Sequence, residues 1–211
     1  INDDLEYGYY INIGNGLIGE WYYIFDFTGE MVTEVYDFDN NGFNDLLYLQ
    51  NLNPGKWGIV YNYGDNSFTN EIQYSSSENL TSVCSGYLDE DTLRDVLIVS
   101  PDPSLGSQVF YNNQNSFIQS NESLPRSSQG FIADINNDNI NDIALNHISS
   151  NSFLQLIEIT STGFIIVDTV ELPDQSAIRG FLDLNNDNFP DIFHRTALPS
   201  IGFDEIYVSF N

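Results

Sequence analysis

The chain has 211 residues, 31 of them acidic and five basic, a formal charge of −26, one cysteine, and 41% hydrophobic residues that include 15 Phe and 13 Tyr. Its aromatic content excludes a disordered acidic tail, and one domain of about 150 to 200 residues is the default at this length. The lone Lys56 with Arg94, Arg126, Arg179 and Arg195 cannot neutralise a phosphate backbone, which excludes nucleic acid and argues against anionic membrane surfaces.

No run of 18 apolar residues exists, so no membrane span is expected, and Ile1 is not followed by a charged-then-apolar leader. Cys84 has no partner for a disulfide, and its plain reading is a small buried hydrophobe. The sequons at Asn79 and Asn121 are compatible with a secreted glycoprotein.

Taken in chain order, one nine-residue pattern recurs. It reads Asp37-Phe-Asp-Asn-Asn-Gly-Phe-Asn-Asp45, then a weaker Tyr87-Leu-Asp-Glu-Asp-Thr-Leu-Arg-Asp95, then Asp134-Ile-Asn-Asn-Asp-Asn-Ile-Asn-Asp142, then Asp183-Leu-Asn-Asn-Asp-Asn-Phe-Pro-Asp191. The final aspartates lie at 45, 95, 142 and 191, a period near 50 residues. A short apolar run precedes each copy, as in Met31 to Val35, Gly130 to Ala133 and Gly180 to Leu182. Another follows, as in Leu46 to Leu49, Val96 to Val99 and Ile143 to Leu145. Alternating segments come next at Trp57 to Tyr63, Gln108 to Tyr111, Phe153 to Ile159 and Glu205 to Phe210. These runs read as three or four strands per unit, and no helical spacing is sustained, so the chain is expected to be all-β.

A 50-residue unit of about four strands fits the blade of a β-propeller. The expected units are a partial blade 1–30, blades at about 31–80, 81–127 and 128–176, and an incomplete last blade 177–211, forming part of a larger ring. Ile1-Asn2-Asp3-Asp4-Leu5 resembles Ile140-Asn141-Asp142-Ile143-Ala144, and the strand at Glu205 is the third of its unit. Both ends are therefore expected to fall within a blade of a longer protein.

Oxygen-bearing side chains at alternate positions suit Ca2+, which takes six to eight oxygen ligands. The first set is Asp37, Asp39, Asn41, the Phe43 carbonyl and Asp45. The third is Asp134, Asn136, Asp138, the Ile140 carbonyl and Asp142. The fourth is Asp183, Asn185, Asp187, the Phe189 carbonyl and Asp191. In the second, Tyr87 replaces the first ligand and Thr92 stands at the turn, leaving Asp89, Asp91 and Asp95. Three loops are thus expected to hold Ca2+ and the second to hold it weakly or not at all. Gly42, Asn139 and Asn188 occupy the position where a left-handed backbone is needed. The twelfth positions are Tyr48, Leu145 and His194, not the glutamate of an EF-hand. The plain alternative is an Asx-rich turn satisfied by its own backbone.

These units resemble the calcium-loop repeats called FG-GAP or VCBS repeats, found in integrin α-subunit propellers, T-cell immunomodulatory protein-like ectodomains and secreted microbial proteins. The resemblance implies a propeller, usually of seven blades, with calcium in its inter-strand loops and adhesion or ligand binding on one face. The Phe-Gly and Gly-Ala-Pro elements of the integrin version are absent, with Gly86-Tyr87, Gly130-Phe131 and Gly180-Phe181 near their places. The expected function is a calcium-stabilised extracellular module for adhesion, protein interaction or assembly, secreted or on the outer face of a membrane protein. A carbohydrate-binding propeller, with Tyr9, Tyr10, Trp21, Tyr22, Tyr23 and Trp57 stacking on sugars, is one alternative. A structural subunit that self-assembles through open edges is another. His147 and His194 read as loop-edge or partly buried polar residues, and no nucleophile elbow, zinc signature or phosphate loop is present, so no enzymatic activity is expected.

Overall fold

The computed structural model describes residues 5–14, 17–27, 30–50, 54–65, 67–68, 72–76, 79–114, 116–138, 140–197 and 204–209. Residues 5–7, 9–14, 17–27, 30–31, 72, 197 and 204–209 are described by backbone path alone. Seventeen strands and no helix are found among these residues, in agreement with the all-β reading.

The chain divides into two compact units, Ile1–Ser77 and Glu78–Asn211. In the first, β1 (Leu5–Gly14) and β2 (Leu17–Phe27) pair antiparallel. Strands β3 (Glu30–Tyr36), β4 (Asp45–Gln50), β5 (Lys56–Val60) and β6 (Ile72–Ser75) form a four-stranded antiparallel meander. The interior of this sheet is Leu47, Tyr48, Leu49, Trp57, Ile59 and Val60, all buried. Trp57 stacks on Tyr74 with ring centroids 4.4 Å apart. Buried to 1% exposure, Trp57 belongs to the core and offers no face to a sugar. The other aromatics considered for that role lie outside the described side chains.

The second unit repeats the meander. Strands β7 (Ser82–Gly86), β8 (Asp95–Val99), β9 (Ser107–Asn112) and β10 (Phe117–Leu124) make one sheet. Strands β11 (Gln129–Ala133), β12 (Asp142–His147), β13 (Phe153–Thr160) and β14 (Gly163–Glu171) make the next. Strands β15 (Ser176–Leu182), β16 (Asp191–Ala197) and β17 (Asp204–Ser209) make a three-stranded sheet. In every meander the nine-residue pattern joins the first strand to the second.

Consecutive sheets of this unit stack in series. Because strand side chains alternate between faces, Ile143 and Leu145 of β12 point one way and Ala144 the other. The first face packs with Leu97, Val99 and Val109 of the preceding sheet, the second with Ile178 and Phe181 of the following one. Strand lies over matching strand: β11 over β7, β15 over β11, and β14 over β10. Burial follows from this geometry. Strand β8, Asp-Val-Leu-Ile-Val, is buried throughout, whereas β14 exposes Ile165, Ile166 and Val167 at the sheet edge. A side chain buried on either face of a central strand contributes about 1.5 to 3 kcal/mol, which is why the second strands carry unbroken apolar runs.

Two glycines set how closely the first strands approach. A Cβ on Gly86 would fall 2.2 Å from Cγ2 of Ile132, and one on Gly130 would fall 2.5 Å from Cγ2 of Val99. A Cβ on Gly180 meets nothing within 4 Å. The half-buried Cys84 sits in the same seam, its Sγ 3.5 Å from the Gly130 carbonyl. Overpacking of this kind costs about 1 to 3 kcal/mol. Gly86→Ala and Gly130→Ala should therefore each lower the midpoint of thermal unfolding by several degrees, and Gly180→Ala should leave it within a degree or so. Calorimetry of the three variants checks this, and equal effects at all three sites would refute the close-approach account.

Candidate metal loops

Each loop is built around its ninth residue. Asp45, Asp95, Asp142 and Asp191 are buried at the start of the second strand, and in each the Oδ2 oxygen accepts the backbone N–H of the loop's second residue. These bonds, from Phe38, Leu88, Ile135 and Leu184, measure 2.7, 2.8, 3.1 and 2.9 Å. In the first two loops the second oxygen accepts the N–H of Asn62 at 2.8 Å and of Asn112 at 2.9 Å. The ninth aspartate thus closes the loop and also ties it to the end of the third strand. Sequence reasoning assigned it to metal alone and missed Asn62 and Asn112. The available signal was a Tyr-Asn pair standing 17 residues after Asp45 and again after Asp95.

The third and fifth positions cap the backbone in all four loops. The third side chain accepts the fifth N–H in Asp39–Asn41, Asp89–Asp91, Asn136–Asp138 and Asn185–Asp187, at 2.9 to 3.1 Å. The fifth accepts the seventh N–H in Asn41–Phe43, Asp91–Leu93, Asp138–Ile140 and Asp187–Phe189, at 2.7 to 2.9 Å. These are the Asx turns that the plain alternative requires.

The first position separates the loops. Asp37 accepts the N–H groups of Asn41 and Gly42, Asp183 those of Asn186, Asp187 and Asn188, and Asp134 that of Asp138. Wrapping the chain around this carboxylate demands left-handed residues. Asn40, Asn137 and Asn186 at the fourth position have φ of 57, 61 and 62°, and Gly42 and Asn188 at the sixth have 91 and 72°. The sixth position was anticipated, the fourth was not, and Asn139 lies outside the described residues. Glu90 and Thr92 of the second loop are outside the left-handed region. Tyr87 has no carboxylate to wrap around, and the Arg94 guanidinium lies 5.9 Å over its ring.

In the first loop, Asp37, Asp39 and Asp45 each offer an oxygen within 4.8 Å of the others. That separation suits a cation: oxygens on opposite sides of an ion at about 2.4 Å stand roughly 4.8 Å apart. Among the described residues no other three acidic side chains meet the same condition. The remaining proposed ligands Asp89, Asp91, Asp95, Asp134, Asp138, Asp142, Asp183, Asp187 and Asp191 are gathered by loop, but no three carboxylates of one of these loops meet that condition. The asparagine oxygens of Asn41, Asn136 and Asn185 are all engaged by backbone N–H groups. A carboxylate or amide oxygen has two lone pairs, so one hydrogen bond leaves room for a metal bond.

Burial dominates the electrostatics. It pushes the Asp45 carboxyl up to about 6 and that of Asp95 up to about 7, against the hydrogen bonds from Asn62 and Phe38 or from Asn112 and Leu88 that pull them down. Burial also raises Asp39, Asp89 and Asp142, with the neighbouring Asp37 adding to Asp39 and Asp91 to Asp89. His147 and His194 are lowered, chiefly by burial. No family model and no curated protein matches the chain.

Two outcomes follow. Asp95→Ala orphans the N–H groups of Leu88 and Asn112, a cost of about 2 to 4 kcal/mol. Denaturant unfolding should show that loss equally with calcium and with chelator, because the second loop depends on the backbone role, and a loss confined to calcium buffer would contradict it. The raised carboxyls have the opposite sign from a salt-bridged aspartate: their contribution is full below the unfolded value of 3.8 and disappears as pH rises through 6 and 7. The lowered histidines act the other way, losing their contribution as pH falls below 6.5. In chelator, and with both histidines replaced by Gln to remove their opposing contribution, thermal stability should therefore decline from pH 4 to 7, and a rise over that interval would contradict the assignment.

Proposed function

We propose that the chain is a region of a calcium-stabilised β-propeller, working outside the cell as an adhesion or protein-interaction module. One observation carries the reading: in the second unit, successive antiparallel meanders stack strand over matching strand, each with an aspartate loop between its first two strands, and the first unit's meander carries the same loop at the same place. A series of sheets so stacked suits a ring of blades. Leu182 at the end of β15 and Leu184 in the loop that follows it are exposed, whereas the equivalent Ala133 and Ile135 pack against the following sheet. This supports a larger ring.

Calcium at the first loop, and at the third and fourth after modest closure, offsets the repulsion of clustered carboxylates in a chain of charge −26. The second loop takes calcium weakly or not at all. A cation that binds only the folded chain stabilises it by about 2.7 kcal/mol at a concentration one hundred times its dissociation constant. Excess calcium should accordingly raise the unfolding midpoint by several degrees over chelator. The double variant Asp37→Asn, Asp39→Asn should lose a part of that rise while folding normally in chelator. An identical midpoint for the parent chain in calcium and chelator would remove the reading.

A further inference from the structure

The edge of the second unit away from the aspartate loops carries a cavity of about 430 Å³, walled in part by Arg126, Ser128, His147, Phe153 and Gln155. Its position follows from the strands. Strand β12 begins at Asp142 in the third loop and ends at His147, and Arg126 to Ser128 precede β11, which runs toward that loop.

The walls are held by hydrogen bonds among three segments. Ser127 N–H donates to the Ser100 carbonyl at 2.9 Å, Ser128 N–H to Asn146 at 3.1 Å, and Ser127 Oγ to Asn146 at 2.7 Å. The His147 ring stacks on Phe153 with centroids 4.1 Å apart, and its Nε2 lies 2.9 Å from Oε1 of Gln155. Pro101 and Pro125 complete an apolar rim.

The groups left over are donors. Arg126 is exposed and, among the described residues, makes no hydrogen bond or ion pair, though acidic residues outnumber basic ones 31 to 5. Ser128 Oγ accepts the Ile148 N–H at 3.2 Å, so its hydroxyl proton is available. With Oε1 of Gln155 engaged by the imidazole, the amide nitrogen of that residue is a further donor. The nearby Asp102 is turned into its own loop, where Oδ1 accepts Ser104 N–H and Oγ–H at 2.7 and 2.6 Å. Glu171, opposite Phe153 on β14, is exposed. One guanidinium with two neutral donors matches one negative charge, and a carboxylate accepts a guanidinium through two parallel bonds.

We propose that this cavity is a binding site for a carboxylate-bearing ligand of monosaccharide size, with Arg126 taking the carboxylate, Ser128 and Gln155 bonding its polar groups, and Phe153 with the prolines covering its apolar face. The site is separate from the metal loops and stands whether or not they hold calcium.

Nuclear magnetic resonance titration of the chain in calcium buffer tests it, with sodium D-glucuronate as probe and D-glucose as its neutral match at equal ionic strength. Glucuronate should shift the His147 ring signals saturably and glucose should not. Arg126→Gln should weaken glucuronate by roughly tenfold or more at an unchanged melting temperature. N-acetyl-L-alanine, a carboxylate without a sugar ring, distinguishes the sources: equal binding supports recognition of the carboxylate alone, and weaker binding adds the ring to what is recognised. Glucose binding as well as glucuronate, no saturable shift with glucuronate, or undiminished binding by Arg126→Gln would each overturn the proposal.

Discussion

A buried carboxylate at the ninth position of each loop is the contact on which the rest of this fold depends. Its oxygen takes the N–H of the loop's second residue, and that residue is apolar in every copy. Leu88 and Ile135 thereby enter the cores shared with the following sheet. One hydrogen bond fixes both where the second strand begins and where a side chain enters the next layer. Burying an ionised carboxylate is costly, and backbone donors are the compensation the chain supplies. The raised values of Asp45 and Asp95 show that the compensation is incomplete.

Incomplete compensation gives the loops their chemistry. Asp37, Asp39 and Asp45 concentrate negative charge on one turn, and the side-chain bonds within that turn come almost wholly from neutral N–H donors. Neutral donors stabilise a carboxylate but do not remove its repulsion from two others. A divalent cation does, and it reaches the lone pairs that the hydrogen bonds leave. The turn chemistry and the metal chemistry are successive uses of the same oxygens. The second loop separates them, since it retains the Asx turns and the ninth aspartate but lacks both the first carboxylate and the left-handed residues that wrap around it.

The period and the strand content were legible in the sequence because they rest on local facts: unbroken apolar runs at Val96 to Val99, Asx clusters between them, and a spacing that repeats. The departure of the second loop was legible at Tyr87 and Thr92 for the same reason. What the sequence concealed was non-local. Asn62 and Asn112 contribute backbone N–H groups, which every residue but proline has, so the recurring Tyr-Asn pair marks the place without revealing the bond. The need for Gly86 and Gly130 arises from Ile132 and Val99 on neighbouring strands, across 46 and 31 positions of chain. Trp57 was weighed as a sugar platform, but its stacking on Tyr74 places it inside the sheet. The cavity beside Arg126 is assembled from segments with no motif in common.

Calcium occupancy is the most direct test of the account. Native mass spectrometry of the chain, exchanged into millimolar calcium and then into chelator, counts bound ions without reference to stability. The account predicts three calcium ions per chain, the count dropping by one in the double variant Asp37→Asn, Asp39→Asn and remaining at three in Asp89→Asn. A chain that carries no calcium at millimolar concentration, or the same number in all three proteins, would contradict it.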